Sequence, residues 1–443
     1  MMKMKKSTTA VVPILSLLVL GGPSPGDADE VTRWNETATR AAFESGLSGN
    51  PPFESRVYAL TQAAVHDALN AVHRRYDSYA RDGHRRRGGR RASPEAAVAA
   101  AAYEVLTDQF AQLVAFGVPS PQASLDAAYA EALASIPDDE ARARGIAIGE
   151  SAAAAIFALR AGDGWDTQPV VDPGYPQGTV PGEYRFTPPF TFAFLPQWGT
   201  VTPFVLREAD QFRPGPPYSV TKKRYTEDFR EVKRLGGDGV GTPSDRTPEE
   251  TKIALFWVES SPLQWNRIAR TVSADAGLDL WENARLLALL NLALADGYIA
   301  SFATKYHYNY WRPITAIREA DTDGNSRTGA DPTWTPLVDT PPIPDYESAH
   351  SVEGGAAAQV LKRFFCTDRV RFRTCSTTLP AGQTCHDPSP VTRRYKSFSQ
   401  AADENGVSRI FVGFHFRKAV EEGIEHGRRI GNRAVDRFLR KAD

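Results

Sequence analysis

Cysteine is scarce, at three residues in a chain of 443, and none of the three has zinc-site spacing. That argues against a cysteine-based metal centre and against a small fold held by disulfides. An excess of one charge is also missing: 52 Lys and Arg stand against 53 Asp and Glu. A net charge of −1 lacks the cationic surplus that general nucleic-acid binding needs, although it leaves room for a local basic pocket. No stretch alternates apolar and polar residues over the length of a strand, so a sheet-based core is not expected. Long apolar runs are confined to two places, Ala10–Leu20 and Leu280–Tyr306. The first is too short to span a bilayer comfortably. The second is interrupted by Arg285, Asn291 and Asp296, which predicts a buried core helix rather than a stable membrane span.

What is present is an ordinary globular composition with 42% hydrophobic residues. The amino terminus reads as an export signal. Lys3, Lys5 and Lys6 precede the first apolar run, and Gly26-Asp27-Ala28 offers a cleavage site, so a periplasmic or extracellular location is expected over a retained anchor. Export makes a disulfide feasible among Cys366, Cys375 and Cys385. Cys375–Cys385 and Cys366–Cys385 are both open, and the cysteines are read as structural.

Helical periodicity dominates the rest of the chain. Helices are predicted over Trp34–Phe43, Ser55–His73, Ser93–Phe110, Gln122–Ile136 and Asp139–Leu159, an all-helical unit without obvious chemistry. His66 and His73 share a face of the second helix. A metal pair needs a third ligand at helical spacing, and none is nearby, so packing histidines are the better reading. The arginine- and glycine-rich run His84–Arg91 reads as a solvated loop. Gly162–Pro217 is dense in proline and aromatics, which predicts an ordered connection that wraps the helical core and walls a site. Further helices are expected over Ser219–Leu235, from Thr247 to about Val258, over Leu280–Tyr306 and Ser348–Phe365, and as one long helix over Ser408–Phe438 in which Gly423, Gly427 and Gly431 permit close packing. Asp321–Asn325 resembles half a calcium loop but lacks the later ligands, so a polar turn is preferred.

The chemistry concentrates between Lys305 and His415. In order come Lys305, Arg312-Pro313, Ser348-Ala349-His350, Ser408-Arg409 and His415. Three cations, a hydroxyl and two histidines suit a tetrahedral oxyanion. Arginine offers a planar fork of donors, lysine a point charge, and a histidine can attack or ligate the central atom or move a proton. His350 falls at a predicted helix start, where amide donors favour an anion. His307, His386 and His426 are outside this set. His307 sits among Tyr306, Tyr308 and Trp311 and is kept as packing.

Those three clusters resemble, in order, the three motifs of the vanadium haloperoxidase and type-2 phosphatidic acid phosphatase superfamily, towards its bacterial haloperoxidase-like members. The resemblance implies two helical bundles in one domain, with the site at the end of the second. The chain is then read as a signal segment 1–28, an N-terminal bundle 29–161, a connecting region 162–247 with one helix, and a catalytic bundle 248–443. It also implies vanadate, or phosphate in the same pocket, as the bound group, with no haem and no divalent metal. Lys305, Arg312, Ser348, Ala349, Arg409 and His415 would hold it. His415 would bond vanadium, His350 would be the acid–base, Lys305 would contact peroxide, and Phe302, Trp311 and Ile343 would face the halide. The implied reaction is peroxide-driven oxidation of bromide or chloride. The alternatives are an acid phosphatase with His415 as nucleophile, acting on a phosphate ester, and a helical scaffold whose site has decayed. A homo-oligomer is left open. Three positions depart from the family pattern: Glu347 replaces a proline, Ala349 a glycine, and Ala419 the aspartate that orients the histidine in phosphatase-type members.

Overall fold

The computed structural model describes residues 29–80, 91–167 and 169–442. The export segment and most of the arginine-rich run lie outside them. Thirteen α-helices carry the fold among the described residues: α1 Glu30–Glu44, α2 Pro51–Val72, α3 Pro94–Leu113, α4 Gln122–Ala134, α5 Glu140–Arg160, α6 Lys223–Leu235, α7 Pro248–Phe256, α8 Ser261–Ala276, α9 Leu280–Tyr308, α10 Pro313–Arg318, α11 Ala349–Phe364, α12 Phe398–Phe411 and α13 Arg417–Arg437. Two short antiparallel pairs are the only described sheets, β1 Val171–Asp172 with β2 Ala193–Phe194, and β3 Phe372–Thr374 with β4 Arg393–Tyr395. The mainly α class is as expected from the periodicity.

The helix starts follow local chemistry. Asn50 and Ser93 cap α2 and α3, each just before a proline that fits the first turn. Thr247 with Glu250 and Asp279 with Glu282 form reciprocal capping boxes on α7 and α9. The helix α9 runs through the middle of the molecule, with α2 on one side and α11 on the other. It is long and apolar enough to cross a membrane, but 94% of that window is buried inside the protein. One apolar cluster runs from Val31 on α1 to Leu439 without a break between the two halves of the chain.

The connecting region binds the second half strand by strand. Tyr184 N–H donates to Asn309 O, Trp311 N–H to Gly182 O, and Phe194 N–H to Pro342 O. The Asp296 carboxylate of α9, fully buried, accepts the amides of Phe204, Val205 and Leu206 at 2.6–2.7 Å. These bonds pin the loop over the segments 309–311 and 340–345, which border the site.

One expectation is corrected, and one helix is added. The segment Ser408–Phe438 is not one helix. It breaks between α12 and α13 at Gly413, whose φ of +87° is strained for any side chain, and the amides of Phe414 and His415 both turn back to Arg409 O. The helix α8 was not anticipated at all, although Pro262 sits in its first turn. The tight approach of α13 is as expected: a Cβ at Gly427 would lie 2.0 Å from Val352 O, and one at Gly423 2.8 Å from Ser348 O.

Candidate oxyanion site

Each motif residue reaches the site from a different element. Lys305 stands on the last turn of α9, and Arg312 is the residue before α10. Ser348 caps α11, Arg409 ends α12, and His415 lies in the turn that Gly413 makes. Lys305, Arg312, Ser348 and Arg409 are each at most 2% exposed, and His415 is 5% exposed.

The main chain holds these cations in place. Lys305 Nζ donates to Pro344 O at 2.8 Å and to Asp345 O at 3.0 Å. Arg312 Nε donates to Ile343 O at 2.7 Å and its Nη1 to Phe414 O at 2.9 Å. Arg409 Nη1 donates to Trp257 O at 2.9 Å, and its guanidinium lies 5.0 Å over the Phe414 ring. Carbonyl oxygens neutralise no charge, so the three cations crowd one another. Burial, then Arg312 and Arg409, push Lys305 well below the usual lysine range, against the pull of Asp345 and Glu347. Burial, then Arg312, brings Arg409 down to about 9, and burial brings Arg312 down to about 10.

His415 is oriented from both sides. Its Nδ1 is 2.9 Å from Asp345 Oδ1, and its Nε2 is 3.0 Å from Arg312 Nη1. An arginine can only donate, so Nε2 presents its lone pair and Nδ1 carries the proton towards the carboxylate. Burial, then Arg312, Lys305, Arg409 and His350, hold the imidazole well below its usual range, so it stays neutral. Burial raises Asp345 to about 7, opposed by Arg312 and Lys305. His350, on the first turn of α11, bonds through Nε2 to Glu259 O at 3.2 Å, and burial, then Arg409, depress it too. The Ser348 hydroxyl accepts from the Ser351 hydroxyl at 2.9 Å, which leaves its own proton free to be donated. Arg409 Nε is buried without a partner.

These features suit a small oxyanion. They comprise an unspent guanidinium donor, a free hydroxyl proton, a third lysine N–H, the start of a helix, and three buried cations whose side chains bond main-chain oxygens rather than carboxylates. Ala349 is the first residue of α11 and takes an ordinary helical backbone, so nothing there demands the family's glycine. Glu347 is buried and bonded to His426 Nδ1 at 2.5 Å, while still acting on Lys305 through space. The position of Ala419 is answered by Asp345, which supplies an orienting carboxylate from another segment.

The other residues singled out in the sequence are placed as follows. Phe302 and Ile343 belong to the main apolar cluster, and Trp311 to a second one with Tyr225, Tyr310 and Phe416. His307 and His386 are exposed, against Tyr308 and Phe43. His66 is satisfied by Asp67 at 3.0 Å, His73 is exposed, and no group of three metal-ligating side chains occurs among the described residues. Asp323 of the calcium-like turn is used by Asn325 N–H and Thr328 Oγ1. Cys375 is bonded to Cys385, and Cys366 is free and exposed.

A helical scaffold closing on a buried ring of cations, with one histidine offered end-on, defines a class of oxyanion-binding proteins. Residues 285–443 match the second helical-bundle domain of VCPO. Vanadium chloroperoxidase of Curvularia inaequalis is 24% identical over 508 residues, covering 92% of this chain and 81% of that protein. A bacterial vanadium-dependent iodoperoxidase superposes with a TM-score of 0.76 at 26% identity, covering 94% of this chain and 97% of that one. The holo form of a bacterial vanadium-dependent chloroperoxidase shares the fold, with a TM-score of 0.70 at 18% identity over 93% of this chain and 97% of the other. Residues 285–443 thus match a domain of this family, and over most of its length the chain is similar in sequence and fold to vanadium haloperoxidases.

Asp345 is the functional residue that motif reading missed. It precedes Ser348 by three positions in a turn-rich stretch, and only its position beside a motif marks it.

Proposed function

We propose that this protein is an exported vanadate-dependent haloperoxidase that oxidises bromide or chloride with hydrogen peroxide. The observation that carries the reading is His415 itself, neutral, with its Nε2 lone pair turned into a ring of three buried cations. Lys305, Arg312, Arg409, Ser348 and the Ala349 amide would surround the oxygens of vanadate, with His415 on the central atom. When bound, vanadate supplies a Lewis-acidic centre that activates peroxide for oxygen transfer to halide. The protein's own part is electrostatic and positional. Lys305 Nζ and Arg409 Nε donate to developing negative charge, and their desolvation makes each donor count for more than it would in water. His350, held low by burial and then by Arg409, is a neutral base that would take a proton from the incoming peroxide and return it. The disulfide Cys375–Cys385 supports export to an oxidising compartment.

A second reading, an acid phosphatase acting through His415, is favoured by Asp345, since a carboxylate behind Nδ1 is what a nucleophilic histidine needs. One experiment separates the two. The purified protein is incubated with peroxide, bromide and a phenol dye, with and without orthovanadate, and separately with a chromogenic phosphate ester. Vanadate-dependent bromination is the expected result. Ester hydrolysis inhibited by vanadate, with no bromination from acid to neutral pH, would transfer the assignment to the phosphatase.

A further inference from the structure

Behind the pocket lies a seam of buried polar side chains that neither anion binding nor halide oxidation uses directly. Glu54 of α2 is fully buried, yet its carboxyl takes hydrogen bonds from the half-buried Ser48 at 3.0 Å, from Tyr58 at 2.7 Å and from Ser260. Ser260 follows Glu259, whose carbonyl holds His350. Glu353 of α11 stands one turn beyond His350, is 0% exposed, and has no protein partner for either carboxyl oxygen. Its Oε1 lies so close to α9 that a Cβ at Gly297 would meet it at 2.2 Å. The next residue, Tyr298, is buried, and its hydroxyl has no partner of normal geometry. That hydroxyl is within electrostatic reach of Glu353, Glu54 and Arg409, with Ser261 of α8 beside it. Asn405 Oδ1, on the α12 side, is likewise buried and unpaired, while its Nδ2 donates to His350 O at 3.1 Å.

Fully buried carboxyls are rare, and unpaired polar atoms inside a protein are ordinarily satisfied by water. Here Glu54 is bonded to Ser48 near the surface, the Tyr298 hydroxyl is within electrostatic reach of Glu54, Glu353 and Arg409, and Asn405 bonds the main chain of His350. Burial holds Glu54 at about 7 and, together with Asp296, Glu353 well above the usual carboxyl range, so both favour the protonated form more than an ordinary carboxyl does.

We propose that Glu54 and Glu353 are proton-carrying residues that pass protons from the surface at Ser48, by way of the Tyr298 hydroxyl and ordered water, to the oxyanion pocket at Arg409 and His350. The proposal rests on the haloperoxidase reading, because that reaction consumes acid: hydrogen peroxide, halide and one proton give hypohalous acid and water. Each transfer breaks one O–H bond as the next forms. Each carboxyl that releases its proton inward regains one from the solvent side, so no group stays changed after a turnover. The groups facing the line from every packed element are Asp296 and Tyr298 on α9, Tyr58 on α2, Glu259, Ser260, Ser261, Arg267 and Arg270 at α8, Asn405 and Arg409 on α12, and His350 on α11.

The test compares the full-length wild-type protein with Glu353→Gln, Glu54→Gln and Tyr298→Phe. The last removes only an unpaired hydroxyl, so it keeps the fold even where Glu54→Gln does not. Each is assayed for turnover against pH, KM for halide and peroxide, orthovanadate affinity by calorimetry, and the infrared C=O stretch of a protonated carboxylic acid. The expected result is a kcat lowered roughly 10-fold or more on the alkaline side, restored by a small diffusible acid, with vanadate affinity changed by less than about twofold. Glu353→Gln should also lose a carboxylic-acid band at neutral pH. Unchanged kcat and pH profile in all three variants would overturn the proposal, as would a fall in vanadate affinity that matches the fall in turnover. If the wild type oxidises no halide, the functional reading fails, and the infrared band still decides whether Glu353 stores a proton. Its absence overturns the proposal independently.

Discussion

Replacing Asp345 tests whether the site depends on an orienting carboxylate. Its Oδ1 receives His415 Nδ1 at 2.9 Å, with the two side chains only 1% and 6% exposed. Above about pH 7, where Asp345 is ionised, a hydrogen bond to a charged group in such a place contributes about 1.5–3 kcal/mol, and losing the outer partner of a ligating histidine typically costs roughly 10- to 100-fold in affinity. The two magnitudes agree, since a factor of ten is about 1.4 kcal/mol. Asp345→Ala should therefore weaken orthovanadate binding by roughly 30- to 100-fold. Asp345→Asn, which keeps an acceptor but not the charge, should weaken it by about 10-fold. Lys305 should stay in place in both variants, because its acceptors are the main-chain oxygens of residues 344 and 345. Calorimetric titration with orthovanadate and with phosphate measures the loss, and unfolding without an anion separates it from a general defect. If Asp345→Ala binds both anions within about twofold of the parent, His415 is oriented by the Gly413 turn alone and the argument for a dyad is wrong.

Arg409→Ala should abolish the anion-induced rise in melting temperature while costing the unliganded protein little, because it removes a desolvated cation crowded by Arg312. At a vanadate concentration of about 100 Kd the parent should gain about 2.7 kcal/mol, and a thermal-shift assay reads the difference. Gly427→Ala should destabilise the fold by about 3 kcal/mol or more, since the new methyl meets Val352 O at 2.0 Å; denaturant unfolding checks it, and a loss under about 1 kcal/mol would show that the helices separate easily. Glu54 gives a pH signature. Its carboxyl binds a proton more tightly folded, at about 7, than in an ordinary carboxyl at 4.5, so folding takes up a proton and its contribution to stability falls as pH rises through that window. The stability of Glu54→Gln relative to the parent should thus climb by about 3 kcal/mol between about pH 4 and pH 8 and level off above, as read by chemical unfolding at each pH. A flat difference would refute the burial argument.

Much of the site could be read from residue order. Lys305, Arg312, Ser348, His350, Arg409 and His415 carry charge, an imidazole or a hydroxyl in a spacing that no packing pattern explains, and the structure brings them to adjoining segments. Helix periodicity gave α2, α3, α5, α9 and α11 within a few residues, because burial on one face leaves a regular trace. The break at Gly413 was missed because glycine in a run of helix formers reads equally well as a packing residue. Asp345 was missed because its role lies in a turn, where nothing repeats, and the empty position at Ala419 suggested a loss that another segment makes good. Glu54, Tyr298 and Glu353 sit within strongly apolar helices, where a single polar side chain looks like noise until its neighbours are known.

The helix that ends in Lys305 belongs to both halves of the molecule. Its flank against α2 is as buried as its flank against α11. Residues 285–443, though they contain every motif, would leave that flank bare to water if made alone, and a sheet of leucines from Leu286 to Leu294 would seek other company. The amino-terminal half therefore serves as the missing mate of a single rod, and any attempt to trim this protein to its reactive portion should yield aggregate rather than a smaller enzyme.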